Sequence, residues 1–169
     1  MNFDTLITSI ATADRVLQTE AVKAINKALT TRNWLIGLYI VEFEQNGEDR
    51  AEYGAKLLQK LAERLNLKGL SFRNLKLFRQ FYAEYPQLSE PIKSYLTSQT
   101  STIKLNIPIG QSMIAQLQVI GNESFGMNPK EIFDNLSYTH LTELIHIKDP
   151  LKRTFYEIEC IKSVWTQWI

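Results

Sequence analysis

The stretch GLSFRNLKLFRQFYAEYP, Gly69 to Pro86, decides how the rest of the chain is read. Gly69 supplies a tight turn, and Ser71 is a good N-cap because its hydroxyl accepts an orphan amide of the helix that follows. Phe72, Leu75, Phe78, Tyr82 and Tyr85 then fall towards one side at helical spacing. Arg73, Lys76, Leu77, Gln80 and Glu84 occupy a narrow arc on the other, and Pro86 closes the segment. Either the basic face touches a nucleic acid or it is the wet side of a packed helix. Amphipathic helices commonly carry such residues, so the pattern alone favours the second.

Upstream, EDRAEYGAKLLQKLAERLNLKG carries a seam of Tyr53, Leu57, Leu58, Leu61 and Leu65, with Glu52 and Lys56 as a favourable i,i+4 pair. Asn66 and Gly69 bracket the turn into the Ser71 helix. Further upstream, Glu20 to Gln45 reads as a long helix whose core stripe is Val22, Ile25, Leu29, Ile36, Ile40 and Phe43. Trp34, Leu38 and Val41 add a second apolar face near its end. Asn46-Gly47 stops it, as two residues that tolerate the left-handed conformation of many helix ends.

Downstream, seven of the fourteen positions from Ser89 to Thr102 are Ser or Thr. No helical stripe is evident there, so the stretch is expected to be a linker or surface loop. Ile103, Leu105, Ile107 and Ile109 alternate with polar or proline positions, and Ala115, Leu117 and Val119 repeat the alternation. Together they predict a β-hairpin near Gly110, with Pro108 confining its strand to an edge. The end is helical: Asn128-Pro129 opens a short helix through Leu136, Ser137 caps YTHLTELIHI, and Asp149-Pro150 opens LKRTFYEIECIKSVWTQWI.

The blocks NWLIGLYIVEFEQ, RAEYGAKLLQKLAERL, GLSFRNLKLFRQFYAEYP and LSYTHLTELIHIKDPLKRTFYEIECIKSVW, in this order, resemble the N-terminal domain of the YhcG-type bacterial proteins. The match runs from about Ala21 to Trp165, interrupted by the Ser/Thr-rich stretch and the hairpin segment, and Tyr138 stands where the family usually has tryptophan. In that family a nuclease half of the PD-(D/E)XK kind follows. The resemblance implies a helical DNA-recognition lobe, of helix-turn-helix or winged-helix type, attached to a nuclease. This chain ends at Ile169, where the nuclease half is expected to begin.

A PD-(D/E)XK centre needs an acid two residues before a lysine, so that carboxylates hold a metal beside the scissile phosphate. No Asp-x-Lys or Glu-x-Lys triplet occurs in the 169 residues, and EPIK and DPLK have the wrong spacing. His140 and His146, six apart, sit on different faces of a helix and make a poor metal pair. Cys160 between Ile158 and Ile161 reads as a packed thiol. The expectation is a non-enzyme with no cofactor and no metal.

Composition sets the outer bounds. With 44% hydrophobic residues and a net charge of +1, the chain can build a sizeable core but is no polycation, so any nucleic-acid contact must be a local patch. One cysteine and no run of about 18 apolar residues fit a cytoplasmic protein with no membrane span. Asp4, and no basic region ahead of it, argue against a secretory signal.

The sequence therefore predicts a mainly α fold. Residues 1–88 form a helical lobe with a helix-turn-helix, 89–127 a linker with a small hairpin wing, and 128–169 a helical segment packed on the first lobe. The expected partners are duplex DNA and a nuclease domain or subunit. Arg50, Lys68, Arg73 and Lys76 are the candidate phosphate contacts, and Asn74 and Gln80 are available for bases. The competing reading is a protein-interaction or dimerisation module that contacts no nucleic acid. Its candidate surface for a homodimer or docked nuclease half is Tyr138, His140, Arg153, Phe155, Tyr156, Trp165 and Trp168.

Overall fold

The computed structural model describes residues 2–47, 53–99 and 126–162. They form seven α-helices: α1 (Phe3–Asn46), α2 (Leu57–Leu65), α3 (Phe72–Glu84), α4 (Ser89–Gln99), α5 (Pro129–Asn135), α6 (Tyr138–Leu144) and α7 (Pro150–Lys162). Short 3-10 turns at Gly54–Lys56 and Pro86–Leu88 lead into α2 and α4. No strand occurs among the described residues, and the expected hairpin and wing at 103–119 lie outside them.

The fold is organised by α3 crossing the second half of α1. At the crossing sits Gly37, where an added Cβ would lie 2.1 Å from the Phe78 carbonyl oxygen. Only a residue without a side chain allows two backbones that close. On one side of the crossing, Ile40, Leu58, Leu70, Leu75 and Phe78 bury α2 against α1 and α3. On the other, Trp34, Leu38, Phe81 and Tyr85 pack with Leu88 and Ile92, and with Ile132, Phe133, Leu136, Leu141, Leu144 and Ile145 from the C-terminal helices. Tyr138 touches both clusters, its ring 6.0 Å from Phe78 and 5.5 Å from Phe81.

Four helix starts match the caps read in the sequence. Ser71 Oγ accepts the Asn74 amide, Asn128 Oδ1 the Lys130 amide, Ser137 Oγ the His140 amide, and Asp149 Oδ1 the Leu151 amide. Each satisfies a backbone donor that the first helical turn leaves open.

Several expectations are corrected. Residues 89–99, read as a linker, are helical, because Ile92, Tyr95 and Leu96 form an i, i+3, i+4 seam against the core. Their hydroxyls do not compete with the helix: Thr97 Oγ1 donates back to the Lys93 carbonyl at 2.9 Å and Ser98 Oγ to that of Tyr95 at 2.7 Å. The first helix begins at Phe3 rather than Glu20, capped by Asn2, whose Oδ1 accepts the Thr5 amide at 2.8 Å. Val22, Ile25 and Leu29 were expected in the core but are exposed, since the other described helices cover only the C-terminal part of α1. Gly47 ends α1 in extended backbone, φ −63° and ψ 134°, and not in the left-handed region.

Candidate nucleic-acid interface

The turn from α2 to α3 is built on two left-handed residues, Asn66 (φ 44°) and Gly69 (φ 87°). Asn is among the few non-glycine residues that take this conformation readily. Leu70 is then pulled into the core, so Ser71 starts α3 at the surface.

Along α3, the polar arc is exposed at its start and half-buried at Leu77, Gln80 and Glu84. Arg73 and Lys76 are exposed, as is Lys68 in the turn. By contrast, the C-terminal half of the same arc is covered by α6 and α7. Leu77 packs on the larger core cluster, Gln80 Nε2 donates to the Ile145 carbonyl at 3.2 Å, and Glu84 pairs with Arg153. The arc that looked uniformly wet in sequence is therefore wet only over its first turns.

Among the described residues, neither Lys68, Arg73 nor Lys76 has a carboxylate within salt-bridge distance, whereas Arg79, one turn further, is held by Glu44 at 2.8 Å. A fourth cation joins them from α1. The Arg32 guanidinium lies 3.7 Å from where a side chain on Gly69 would begin, and its charge acts on the Tyr138 hydroxyl. Arg32 is exposed. Sequence reading missed it because nothing local marks it; only the α1–α3 crossing brings it to the turn.

Asn74 is engaged within the turn itself. Its Nδ2 donates to the Gly69 carbonyl at 3.0 Å, which fixes the loop ahead of the helix. Arg50 lies outside the described residues.

The second candidate surface is divided. Tyr138 is half-buried between the clusters, and burial raises its hydroxyl pKa. His140 closes a capping box, its Nδ1 accepting the Ser137 amide at 3.3 Å, and burial lowers its pKa. Arg153 pairs with Glu84 and lies 5.5 Å over the Tyr85 ring. Phe155 and Tyr156 remain exposed, their rings 5.5 Å apart edge to face, while Trp165 and Trp168 fall outside the described residues. Among the described residues there is no cluster of His, Cys, Asp or Glu able to hold a metal, and no helix is long and apolar enough to cross a membrane.

The model of the DUF1016 N-terminal domain matches residues 9–168. The chain belongs to this family. It is 31% identical over 158 residues to an Escherichia coli (strain K12) protein named "Putative nuclease YhcG". The alignment covers 88% of this chain but 38% of that protein, so the chain spans well under half the length of its relative. No solved structure matches it. In this family member the start of α3 carries exposed cations, Arg73 and Lys76, that no carboxylate holds among the described residues, and the helices that follow pack on the C-terminal half of α3.

Proposed function

We propose that this domain binds duplex DNA through the α2–α3 turn and the first two turns of α3, as the targeting module of a nuclease system, and is itself non-catalytic. The observation that carries this reading is that Arg32 lies beside Gly69 in the turn that holds Lys68 and leads into the exposed Arg73 and Lys76, with no salt-bridging carboxylate on the four among the described residues. A helix start adds backbone amides and the positive end of its dipole, which favour a phosphate. The name of the Escherichia coli relative, a nuclease, supplies a setting in which such a surface is useful.

In this reading the four cations meet phosphates and position the duplex. Asn74 and Gln80 would read bases only by releasing the Gly69 and Ile145 carbonyls they now hold. Shape and charge therefore precede sequence readout. The non-catalytic part of the proposal rests on the missing acid-x-Lys triplet.

The test is fluorescence anisotropy of a labelled duplex at two salt concentrations. About four phosphate contacts predict that affinity falls roughly 10²-fold between about 50 and about 200 mM salt. Absence of binding at the lower concentration rejects the proposal. A second reading, a protein-docking surface without DNA contact, is favoured by the exposed Phe155–Tyr156 pair. A mass that rises with concentration, together with no duplex affinity, would select it.

A further inference from the structure

Among the described residues nothing packs on the first half of α1. Every described residue from Asn2 to Ile25 is exposed, including Phe3 at 74%, Ile10 at 61% and Leu17 at 68%. Its hydrogen bonds up to Lys23 are local to the helix, and among the described residues Lys27, paired with Asp134 at 2.7 Å, is the first to form a salt bridge with another element. The segment also lacks the composition of a self-supporting helix. Thr5, Ile7, Thr8, Ile10, Thr12, Val16, Thr19, Val22 and Ile25 are β-branched and lose side-chain freedom in a helix. Isolated helices of this kind are marginal in water, and most helix stability comes from packing an apolar face.

That face exists. Phe3, Ile7, Ile10, Asp14, Leu17, Ala21, Ala24 and Ala28 follow one another at alternating spacings of four and three, the seam of a two-stranded coiled coil. Phe3, Ile7, Ile10 and Leu17 are its bulky residues, Asp14 is its one charged position, and alanines fill its last three positions.

We propose that the arm of α1, residues 3–28, pairs antiparallel with the same arm of a second copy of this chain. In an antiparallel pair the two classes of seam position share layers. Full overlap of the arms then sets Phe3 against Ala28 of the second copy, Ile7 against Ala24, Ile10 against Ala21 and Leu17 against Asp14. Large meets small along the length, so the helices stay evenly spaced. A parallel in-register pair would instead stack Phe3 on Phe3, Ala on Ala, and Asp14 on Asp14 in the apolar seam, where like charges repel.

Charge agrees with self-association. Asp4, Asp14 and Glu20 balance Arg15, Lys23 and Lys27, so two arms carry no net repulsion. In the antiparallel register the flanking positions bring Asp4 to Ile25, Ala11 to Gln18, Leu6 to Lys27 and Ala13 to Glu20, with no like-charge pair. The size is sufficient as well. At ~1.5 Å per residue the arm is ~39 Å long, and covering a strip this long on both copies buries on the order of 1,000 Å², the threshold for a specific interface. The contact is isologous and closes on itself, as a two-fold dimer must. It holds whether or not the α3 surface binds DNA.

The experiment is sedimentation equilibrium of the full chain alongside an Ile10→Glu, Leu17→Glu variant, with thermal unfolding of both. The expected wild-type mass is twice the 19.6 kDa of one chain. The variant should sediment as a monomer with its body transition retained, because both positions are exposed and remote from the core. Direction is read by disulfide trapping in a Cys160→Ser background: Ile7→Cys mixed with Ala24→Cys should cross-link between the two variants and not within either. A monomeric wild type, a variant that remains dimeric, or self-cross-linking of Ile7→Cys would each overturn the proposal.

Discussion

The indole N–H of Trp34 donates to the backbone carbonyl of Tyr85 at 2.8 Å, joining the second half of α1 to the residue that ends α3. Both side chains are fully buried. The Tyr85 hydroxyl in turn donates to Glu157 Oε1 at 2.7 Å on α7, so one polar chain crosses the core through three helices. Burial, reinforced by the Glu157 charge, holds the Tyr85 hydroxyl far above the ordinary tyrosine pKa, and it stays a donor across the working range.

Tyr85→Phe is therefore expected to destabilise the protein by about 1–3 kcal/mol, because Glu157 would be left buried without this donor. Urea unfolding of the purified variant measures it. An unchanged midpoint would mean that Glu157 is satisfied elsewhere.

Gly37→Ala opposes two effects of different size. Alanine is the better helix former by about 1 kcal/mol. Its Cβ, however, would meet the Phe78 carbonyl oxygen at 2.1 Å and Tyr82 Cβ at 2.8 Å. Backbone cannot yield as a flexible side chain does, and overpacking of a tight crossing costs about 1–3 kcal/mol or more. The clash wins, so thermal unfolding should show a lower midpoint; a higher one would mean that the helices can part at no cost.

His140 gives the stability a defined acid limb. Burial lowers its pKa, and its Nδ1 accepts the Ser137 amide, which only the neutral ring can do. The unfolded chain binds this proton first, near pH 6.5. Stability attributable to His140 is thus complete above about pH 6.5 and declines as pH falls from there towards the lower folded pKa. His140→Gln keeps a capping-box side chain at the third helical position without a titrating ring. Unfolding midpoints compared at about pH 5 and about pH 8 should differ less in the variant than in the wild type, whereas equal differences would assign the acid limb to other groups.

Arg32→Glu should weaken duplex binding and reduce the salt slope by about one unit, with no loss of stability, since Arg32 is exposed and forms no salt bridge among the described residues. Anisotropy with parallel unfolding curves measures both. Unaltered binding would remove α1 from the proposed surface.

Local chemistry was legible in the sequence wherever one residue does one job. The caps at Ser71, Asn128, Ser137 and Asp149, and the turn bracketed by Asn66 and Gly69, follow from side-chain oxygens and backbone sterics alone, although the left-handed stop expected at Asn46-Gly47 does not form. The Ser89–Gln99 helix was not legible, because composition conceals that hydroxyls such as those of Thr97 and Ser98 can bond back to their own helix. Periodicity placed Val22, Ile25 and Leu29 on a core stripe, yet all three are exposed, because a repeat marks an apolar face without saying whether anything covers it. Arg32 and Gly37 belong to a third class. Their roles arise only when α1 and α3 cross, and no window of sequence around either contains that information.

The central claim, that the start of α3 is a nucleic-acid surface, is tested most directly by charge reversal at its two exposed cations. Arg73→Glu with Lys76→Glu is compared with the wild type in a duplex titration across salt, with the unfolding midpoint of both proteins as the control. The expected result is an unchanged midpoint, lost affinity, and a salt slope lower by about two units. A folded variant that binds the duplex as tightly as the wild type would contradict it.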